Sequence, residues 1–180
     1  MTTRLVLICH AATSATRRAA FPLDEPIEAP PPAYAGRADL TLSAPATSCR
    51  QTAGALGLTP MIDERLRDCD YGHWAGRTLG DLASADPAAV HEWLTDATSA
   101  PHGGESTMDL LDRAAGWLDD LPRDHRRIVA VTHPSVIKAA VVHAILATPR
   151  SYWRIDVPPL SRTVLSGHPA KWTLRSLAAT

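Results

Sequence analysis

Two uninterrupted apolar runs constrain the fold more than any other feature of this chain. Residues 5–9 read LVLIC and residues 128–132 read IVAVT, without the alternation of a strand that has one face in water. Unbroken apolar strands are typical of parallel sheets whose two faces are both covered by helices. The two runs therefore predict an α/β fold with buried strands near the middle of its sheet.

The rest of the chain predicts helices and further strands around these two runs. Residues 22–36 hold five prolines and indicate a loop, because proline lacks the amide donor that regular structure needs. We expect further strands at residues 38–43, 161–166 and 172–177, with a turn near residues 167–169. We expect helices at residues 45–56, 79–84, 87–95, 106–118 and 134–146. This pattern predicts one domain over residues 1–180, a three-layer α/β sandwich with a mostly parallel central sheet flanked by helices.

Charge and composition argue against nucleic acids and membranes as binding partners. The formal net charge of −1 offers no broad basic field for nucleic acid or an anionic membrane. No segment approaches the roughly 20 apolar residues of a membrane helix, so we expect a cytoplasmic protein that binds neither membranes nor nucleic acids. The three cysteines lack metal-type spacing and are expected to be free thiols. Oligomeric state leaves no mark in the sequence.

A histidine directly follows each of the two buried runs. His10 comes after the first run and His133 after the second. Ligands of open α/β sheets bind at the carboxyl ends of the strands, so both imidazoles are candidates for one pocket. Pro134 opens the next helix, whose free amides favour an anion. Taken alone, each histidine is explained equally well as a structural residue whose side chain hydrogen-bonds the end of its strand.

Two further segments carry polar groups in irregular surroundings. Residues 66–76 read LRDCDYGHWAG, in which Asp68 is either a general acid or, like Asp70, a residue that holds a turn. Residues 102–106 read HGGES, a loop whose paired glycines allow close backbone approach before a helix capped by Ser106 and Asp109. Neither segment identifies a chemistry on its own.

Taken in order, four segments resemble motifs of the histidine phosphatase superfamily, the phosphoglycerate mutase-like proteins. They are residues 6–13, 66–76, 103–106 with a downstream arginine at position 113, and 129–133. The resemblance implies that His10 attacks a phosphoryl group and forms a phosphohistidine, which water then hydrolyses. It implies that Asp68 protonates the leaving oxygen and that His133 binds phosphoryl oxygens. Thr13 and Ser48 stand at substrate-binding positions, and the chemistry needs no metal or organic cofactor.

The sequence departs from the family pattern where charge is expected. The arginine before the nucleophilic histidine is Cys9, and the glycine after it is Ala11. When the corresponding family segment is aligned on residues 51–53, Ser48 stands where the family has its second phosphate-binding arginine. Loss of one such donor typically costs about 100–1000-fold in rate. The candidate cations to replace them are Arg17 and Arg18, which are nearest in sequence, followed by Arg77 and Lys138.

Two smaller departures concern acidic groups. Asp68 stands where the family has a longer glutamate, and Ala75 stands where it has a second acidic residue.

Three hypotheses of function follow. The first is a phosphomonoesterase that acts on a small phosphorylated molecule through a phosphohistidine intermediate. The second, which the departures favour, is a catalytically inactive protein that binds a small phosphate ester or another anion on the same fold. The third is a zinc site built from Cys9 and the two histidines. A phosphate mutase is less favoured, because the chain has little length to spare for a lid that excludes water.

Overall fold

The computed structural model describes residues 2–122, 124–168 and 171–178. One six-stranded sheet runs through this part of the chain in the order β3-β2-β4-β1-β5-β6. The strands are β1 (Thr3–Cys9), β2 (Leu40–Ser43), β3 (Met61–Ile62), β4 (Arg127–Thr132), β5 (Arg162–His168) and β6 (Lys171–Ala178). Part of the turn expected near residues 167–169 lies outside the described residues.

The two apolar runs form the central strands. β1 and β4 are parallel neighbours, and β2 and β3 continue the parallel block beyond β4. β5 and β6 close the other edge as an antiparallel hairpin beside β1. Leu5 and Ile128 are fully buried, as strands with paired neighbours on both sides and helices on both faces require. The predicted α/β sandwich with a mostly parallel sheet is therefore confirmed.

Helices flank the sheet. They are α1 (Ser14–Arg18), α2 (Thr47–Ala55), α3 (Leu79–Ala85), α4 (Pro87–Thr95), α5 (Thr107–Asp119) and α6 (Pro134–Ala144), with 3₁₀ helices at Glu64–Leu66, Gly72–Trp74 and Pro149–Arg154. α5 begins with the predicted capping box of Ser106 and Asp109. α1 was not expected from the sequence. None of the helices in the described ranges is long and apolar enough to cross a lipid bilayer.

Two apolar clusters hold the layers together. The larger one surrounds β1, β4, α5 and α6, and it includes the fully buried Trp117. The smaller one joins the 3₁₀ helix Gly72–Trp74 to α3 and α4 through Trp74, Leu82, Val90 and Trp93. Because Tyr71 packs against both clusters, the irregular segment that carries Asp68 is wedged between two packed units.

Candidate active site

The parallel pairing of β1 and β4 brings the two histidines together. His10 follows β1 and His133 follows β4, so both lie at the carboxyl ends of adjacent strands. Their ring centroids are 5.1 Å apart in an edge-to-face arrangement. Only 8% of His10 and 3% of His133 is exposed. The two imidazoles therefore share one largely desolvated site.

The main chain fixes the orientation of the His10 ring. His10 Nδ1 lies 2.8 Å from the carbonyl oxygen of Ala11, which only accepts hydrogen bonds. Nδ1 thus carries a hydrogen, and in the neutral ring Nε2 carries the lone pair. The amide of Ala11 donates to Thr52 Oγ1 at 2.9 Å, and the Thr52 hydroxyl donates to the carbonyl of Ser48 at 2.7 Å. Helix α2 therefore supports the turn that holds the nucleophile candidate.

Burial keeps His133 neutral. Desolvation lowers the pKa of His133 below its usual value, and the nearby Asp68 carboxylate only partly offsets this effect. The thiol of Cys49 lies 3.5 Å from His133 Nε2. Burial raises the pKa of Cys49 well above its usual value, so this neighbour stays protonated. A neutral imidazole is the form that donates one hydrogen bond to a ligand oxygen without a charge of its own.

The Asp68 carboxylate is held from one side. Its Oδ1 accepts hydrogen bonds from the Ser135 hydroxyl and from the amide of Cys69, the latter at 2.8 Å. Its Oδ2 lies 3.4 Å from His133 Nδ1, without the alignment of a hydrogen bond. Oδ2 is therefore the oxygen left for a ligand. Sequence reasoning missed Ser135, although its place two residues after His133 in the first turn of α6 was a usable signal.

An ion pair between Glu105 and Arg113 fixes the segment that leads to Asp68. Arg113 donates to both carboxylate oxygens of Glu105, at 2.8 Å from Nε and 2.7 Å from Nη2. Its Nη1 also donates to the carbonyls of Arg65 and Arg67, at 2.7 and 3.0 Å. The pair is largely buried, and Arg113 does not line the cavity that the two histidines share.

Two glycines let the segments on either side of this ion pair touch along their main chains. The amide of Glu105 donates to the carbonyl of Asp70 at 2.8 Å, and a Cβ atom at Gly104 would lie 2.0 Å from the same oxygen. A Cβ atom at Gly72, where φ is +47°, would lie 2.1 Å from the carbonyl oxygen of His102. Since no other residue fits there, the glycines set the position of the Asp68 loop.

We expect Gly104→Ala to lower the free energy of unfolding by about 2–3 kcal/mol, because the added methyl group meets main-chain atoms that cannot move aside. Gly116→Ala in α5 is the matched control, since nothing lies within 4 Å of its Cβ position. There alanine should raise stability by up to about 1 kcal/mol. Urea denaturation of both variants checks the difference, and equal stabilities would contradict the close main-chain contact.

A cavity of about 390 Å³ opens over the histidine pair. His10, Thr13, Ser48, Asp68 and His133 all line it, so the structure brings these predicted site residues together. Its charged lining consists of four carboxylates and one arginine: Asp24, Glu25, Asp68, Asp70 and Arg67. A second cavity, of about 300 Å³, shares His10, Thr13 and Asp68 and extends to α3 and α4. The loop after α1 and the α3–α4 region thus cover the site.

The structure does not bring Arg17 and Arg18 to the cavity. Arg17 is exposed and forms an ion pair with Glu28 at 2.6 Å, because the last turn of α1 faces solvent. Arg18 is also exposed, and its Nε lies 3.4 Å from the carbonyl of Ser14. Lys138 lies 5.4 Å from the ring centroid of Tyr152 and is not among the lining residues. The arginine that does line the cavity, Arg67, was not a candidate from the sequence.

Asp24 occupies the start of α2. Its carboxylate accepts hydrogen bonds from the amide of Thr47 at 2.6 Å and from the Thr47 hydroxyl at 2.9 Å. The Asp24 backbone has a φ of 74°, an uncommon conformation for a residue with a side chain. α2 begins at Thr47, two residues after the predicted start at Pro45, and Asp24 places a carboxylate where the first amides of the helix favour an anion.

The zinc hypothesis is not supported by this geometry. In the described ranges, no group of three or more His, Cys, Asp or Glu residues is placed to hold a metal ion. Cys9 is fully buried in β1, and burial raises the pKa of its thiol to about 12. Cys9 also does not line the cavity that the two histidines share.

Residues 5–180 match the family described as histidine phosphatase superfamily (branch 1). This chain belongs to the histidine phosphatase superfamily. The resemblance of the four sequence segments is thereby confirmed.

Individual relatives in the superfamily agree with this assignment. The glucosyl-3-phosphoglycerate phosphatase of Mycobacterium tuberculosis is 35% identical over 124 residues, which are 62% of this chain and 55% of the relative. Phosphoserine phosphatase 1 of Hydrogenobacter thermophilus is 22% identical over 122 residues, which are 64% of this chain and 56% of the relative. The matches thus span about half the length of these curated relatives.

Among solved structures, mycobacterial glucosyl-3-phosphoglycerate phosphatase complexed with VO3 has a TM-score of 0.83 and 26% identity. The likeness covers 99% of this chain and all of that one. Vanadate is thus bound by a superfamily member whose whole fold is similar to the present structure.

Proposed function

We propose that this member of the histidine phosphatase superfamily hydrolyses phosphomonoesters of a small molecule, with His10 as the nucleophile. The observation that carries the proposal is the Nδ1 bond of His10 to its neighbouring carbonyl, which leaves the Nε2 lone pair for attack. His133 and Asp68 line the same cavity. The curated relatives named above are phosphatases, which supports the same reaction class.

In the first step, His10 Nε2 attacks the phosphorus atom and the ester P–O bond breaks. Asp68, when it carries a proton, delivers that proton to the departing alkoxide. In the second step, a water oxygen attacks the phosphorus atom, the N–P bond breaks, and Asp68 takes up a proton from that water. Inorganic phosphate leaves, and His10 and the proton on Asp68 are both restored.

The donors available to bind the phosphoryl oxygens are mostly uncharged, with one arginine among them. Neutral His133 has one N–H group, and the hydroxyls of Thr13 and Ser48 lie in the cavity lining. Arg67 is the lining guanidinium, and its Nη2 is 3.9 Å from a Glu105 oxygen. Since transition-state charge in phosphoryl transfer is stabilised mainly by positioned cations, we expect a slow enzyme.

Rapid mixing with a ³²P-labelled aryl phosphate tests the proposal directly. An alkali-stable, acid-labile label on the protein, mapped to the peptide containing residue 10, is the expected result. No label in wild type, together with no phosphate release, would overturn the proposal.

The second candidate function is ligand binding without turnover. It is favoured by Cys9 and Ser48, uncharged residues where the family has arginines, because their loss removes transition-state charge while both histidines still line the cavity. It predicts that vanadate or phosphate binds in a calorimeter while no phosphoenzyme forms. Efficient labelling of His10 would eliminate it.

Ser135 is proposed to position the general acid. Ser135→Ala removes the hydroxyl that holds Asp68 Oδ1, so hydrolysis of an alkyl phosphate should slow about 10-fold more than that of p-nitrophenyl phosphate. The nitrophenolate leaving group needs little protonation, whereas an alkoxide needs a proton. Ser135→Thr keeps the hydroxyl and should restore most of the alkyl phosphate rate. Equal losses on both substrates would indicate a merely structural role.

A further inference from the structure

A basic cavity lies at the other end of the two central strands. It has a volume of about 310 Å³ and is lined by Arg4, Arg37, Arg127, Tyr34 and Gly36, with Val6, Ile128 and Val129 as its apolar part. Arg4 lies near the start of β1, and Arg127 is the first residue of β4. His10 lies six residue steps along the extended chain from Arg4, roughly 20 Å at about 3.3 Å per step. This cavity is therefore distinct from the histidine site.

Strand register places two of the arginines side by side. Arg4 pairs with Arg127 in the parallel β1–β4 ladder, so both side chains leave the same face of neighbouring strands. Like charges directly opposite each other on a sheet are destabilising. The third guanidinium, from Arg37, borders the same space. The arrangement concentrates positive charge where the fold itself gains nothing from it.

Within the described residues, no carboxylate oxygen lies within 4.0 Å of the guanidinium groups of Arg4, Arg37 and Arg127. Arg17, Arg65, Arg67 and Arg113 each have a carboxylate within 4.0 Å, whereas Arg4, Arg37 and Arg127 have none. The acidic residue that contacts this segment is Asp39. Its Oδ2 accepts from the main-chain amides of residues 126 and 127, at 3.1 and 2.9 Å. The lining itself contains arginines but no aspartate or glutamate.

Tyr34 gives the cavity a fixed wall. Its amide donates to the carbonyl of Leu56 at 2.9 Å, and the Arg162 guanidinium lies 5.1 Å from its ring centroid. The ring lies so close to Gly36 that a Cβ atom there would be 2.3 Å from Tyr34 Cζ. A fourth guanidinium thus adds to the positive field, and the aromatic wall offers apolar contact beside it.

We propose that this cavity binds a small molecule bearing a di- or triphosphate group. Guanidinium groups bind phosphoryl oxygens in pairs through their planar forks, and three of them match several phosphoryl charges. The volume is in the range of small-molecule sites and exceeds what one phosphate fills. All three arginines are exposed and so accessible to a ligand, and a ligand that binds the folded chain but not the unfolded one stabilises the fold by mass action.

Isothermal titration calorimetry with inorganic tripolyphosphate at constant ionic strength tests the proposal. Wild type should bind one equivalent, and its melting temperature should rise with ligand. The double variant Arg37→Ala, Arg127→Ala should bind at least about 10-fold more weakly, because two charge-assisted contacts are lost. The control Arg150→Ala, Arg175→Ala removes the same charge from two other exposed arginines and should bind like wild type.

A His10→Ala variant separates this site from the proposed phosphatase site. Tripolyphosphate affinity unchanged by His10→Ala but lost in the Arg37, Arg127 double variant supports the proposal, whether or not the protein turns over any ester. Affinity lost in His10→Ala, equal affinity in the two double variants, or no binding to wild type would overturn it. Arg37→Glu, which changes a loop residue outside the sheet, repeats the test should the double variant fail to fold.

Discussion

His10→Ala is expected to lower kcat for p-nitrophenyl phosphate by about 1000-fold or more. Without the imidazole no phosphohistidine can form, and attack by water on the bound ester would have to replace both steps. The ring makes its polar contact with the neighbouring Ala11 carbonyl, so its removal should disturb the fold little. Release of inorganic phosphate, measured at saturating substrate, gives the ratio of rates.

His91→Ala is the matched control for this loss. His91 is an exposed histidine in α4 and does not line the cavity, so its removal should leave kcat unchanged. Equal rates for wild type and His10→Ala would show that any hydrolysis observed comes from elsewhere, and the phosphohistidine route would be wrong.

Ser48→Arg is expected to raise kcat/KM for the same substrate by about 100-fold. Ser48 lies in the first turn of α2, lines the cavity with the two histidines and is only 5% exposed. A guanidinium there would face the developing charge of the phosphoryl group, where one donor typically contributes about 100–1000-fold. The cavity of about 390 Å³ has room for the longer side chain.

Two controls separate this gain from a general change in charge. Gly54→Arg adds the same charge to the exposed side of α2, where nothing lies within 4 Å of the Cβ position, and should leave kcat/KM unchanged. Ser48→Lys should give a smaller gain, because an ammonium group cannot bind two oxygens as a planar fork. If Ser48→Arg is no faster than Gly54→Arg, missing charge at residue 48 is not what limits the rate.

The sequence predicted those parts of the fold that depend on local pattern. The unbroken apolar runs placed the central strands correctly, because strands buried on both faces need no polar positions. Ser106 and Asp109 cap α5 as expected, since a capping box acts within one turn. β3 has only two residues, both exposed, so no apolar pattern could indicate it.

The positions of the two histidines were predictable because strand ends determine them. Contacts between segments that are distant along the chain were not predictable. His10 and His133 come together because β1 and β4 are parallel neighbours. The Asp24 cap on α2 joins residues 23 positions apart, and the Ser135–Asp68 contact joins residues 67 apart. Spacing along the chain carries no information about such pairs. Arg17 looked like a replacement cation by its nearness in sequence, yet its partner is Glu28 on the surface.

The hydrogen bond from His10 to the Ala11 carbonyl has a consequence for how this site can change over evolution. The proposed nucleophile is oriented by the Ala11 carbonyl and by Thr52, which holds the Ala11 amide, and neither residue bears a formal charge. The side chains of Thr13 and Ser48, which line the cavity, take no part in these two bonds. A substitution of the Ser48 side chain that adds charge therefore leaves the orientation of the His10 ring intact, because the Thr52 hydroxyl donates to the main-chain carbonyl of residue 48 and not to its side chain.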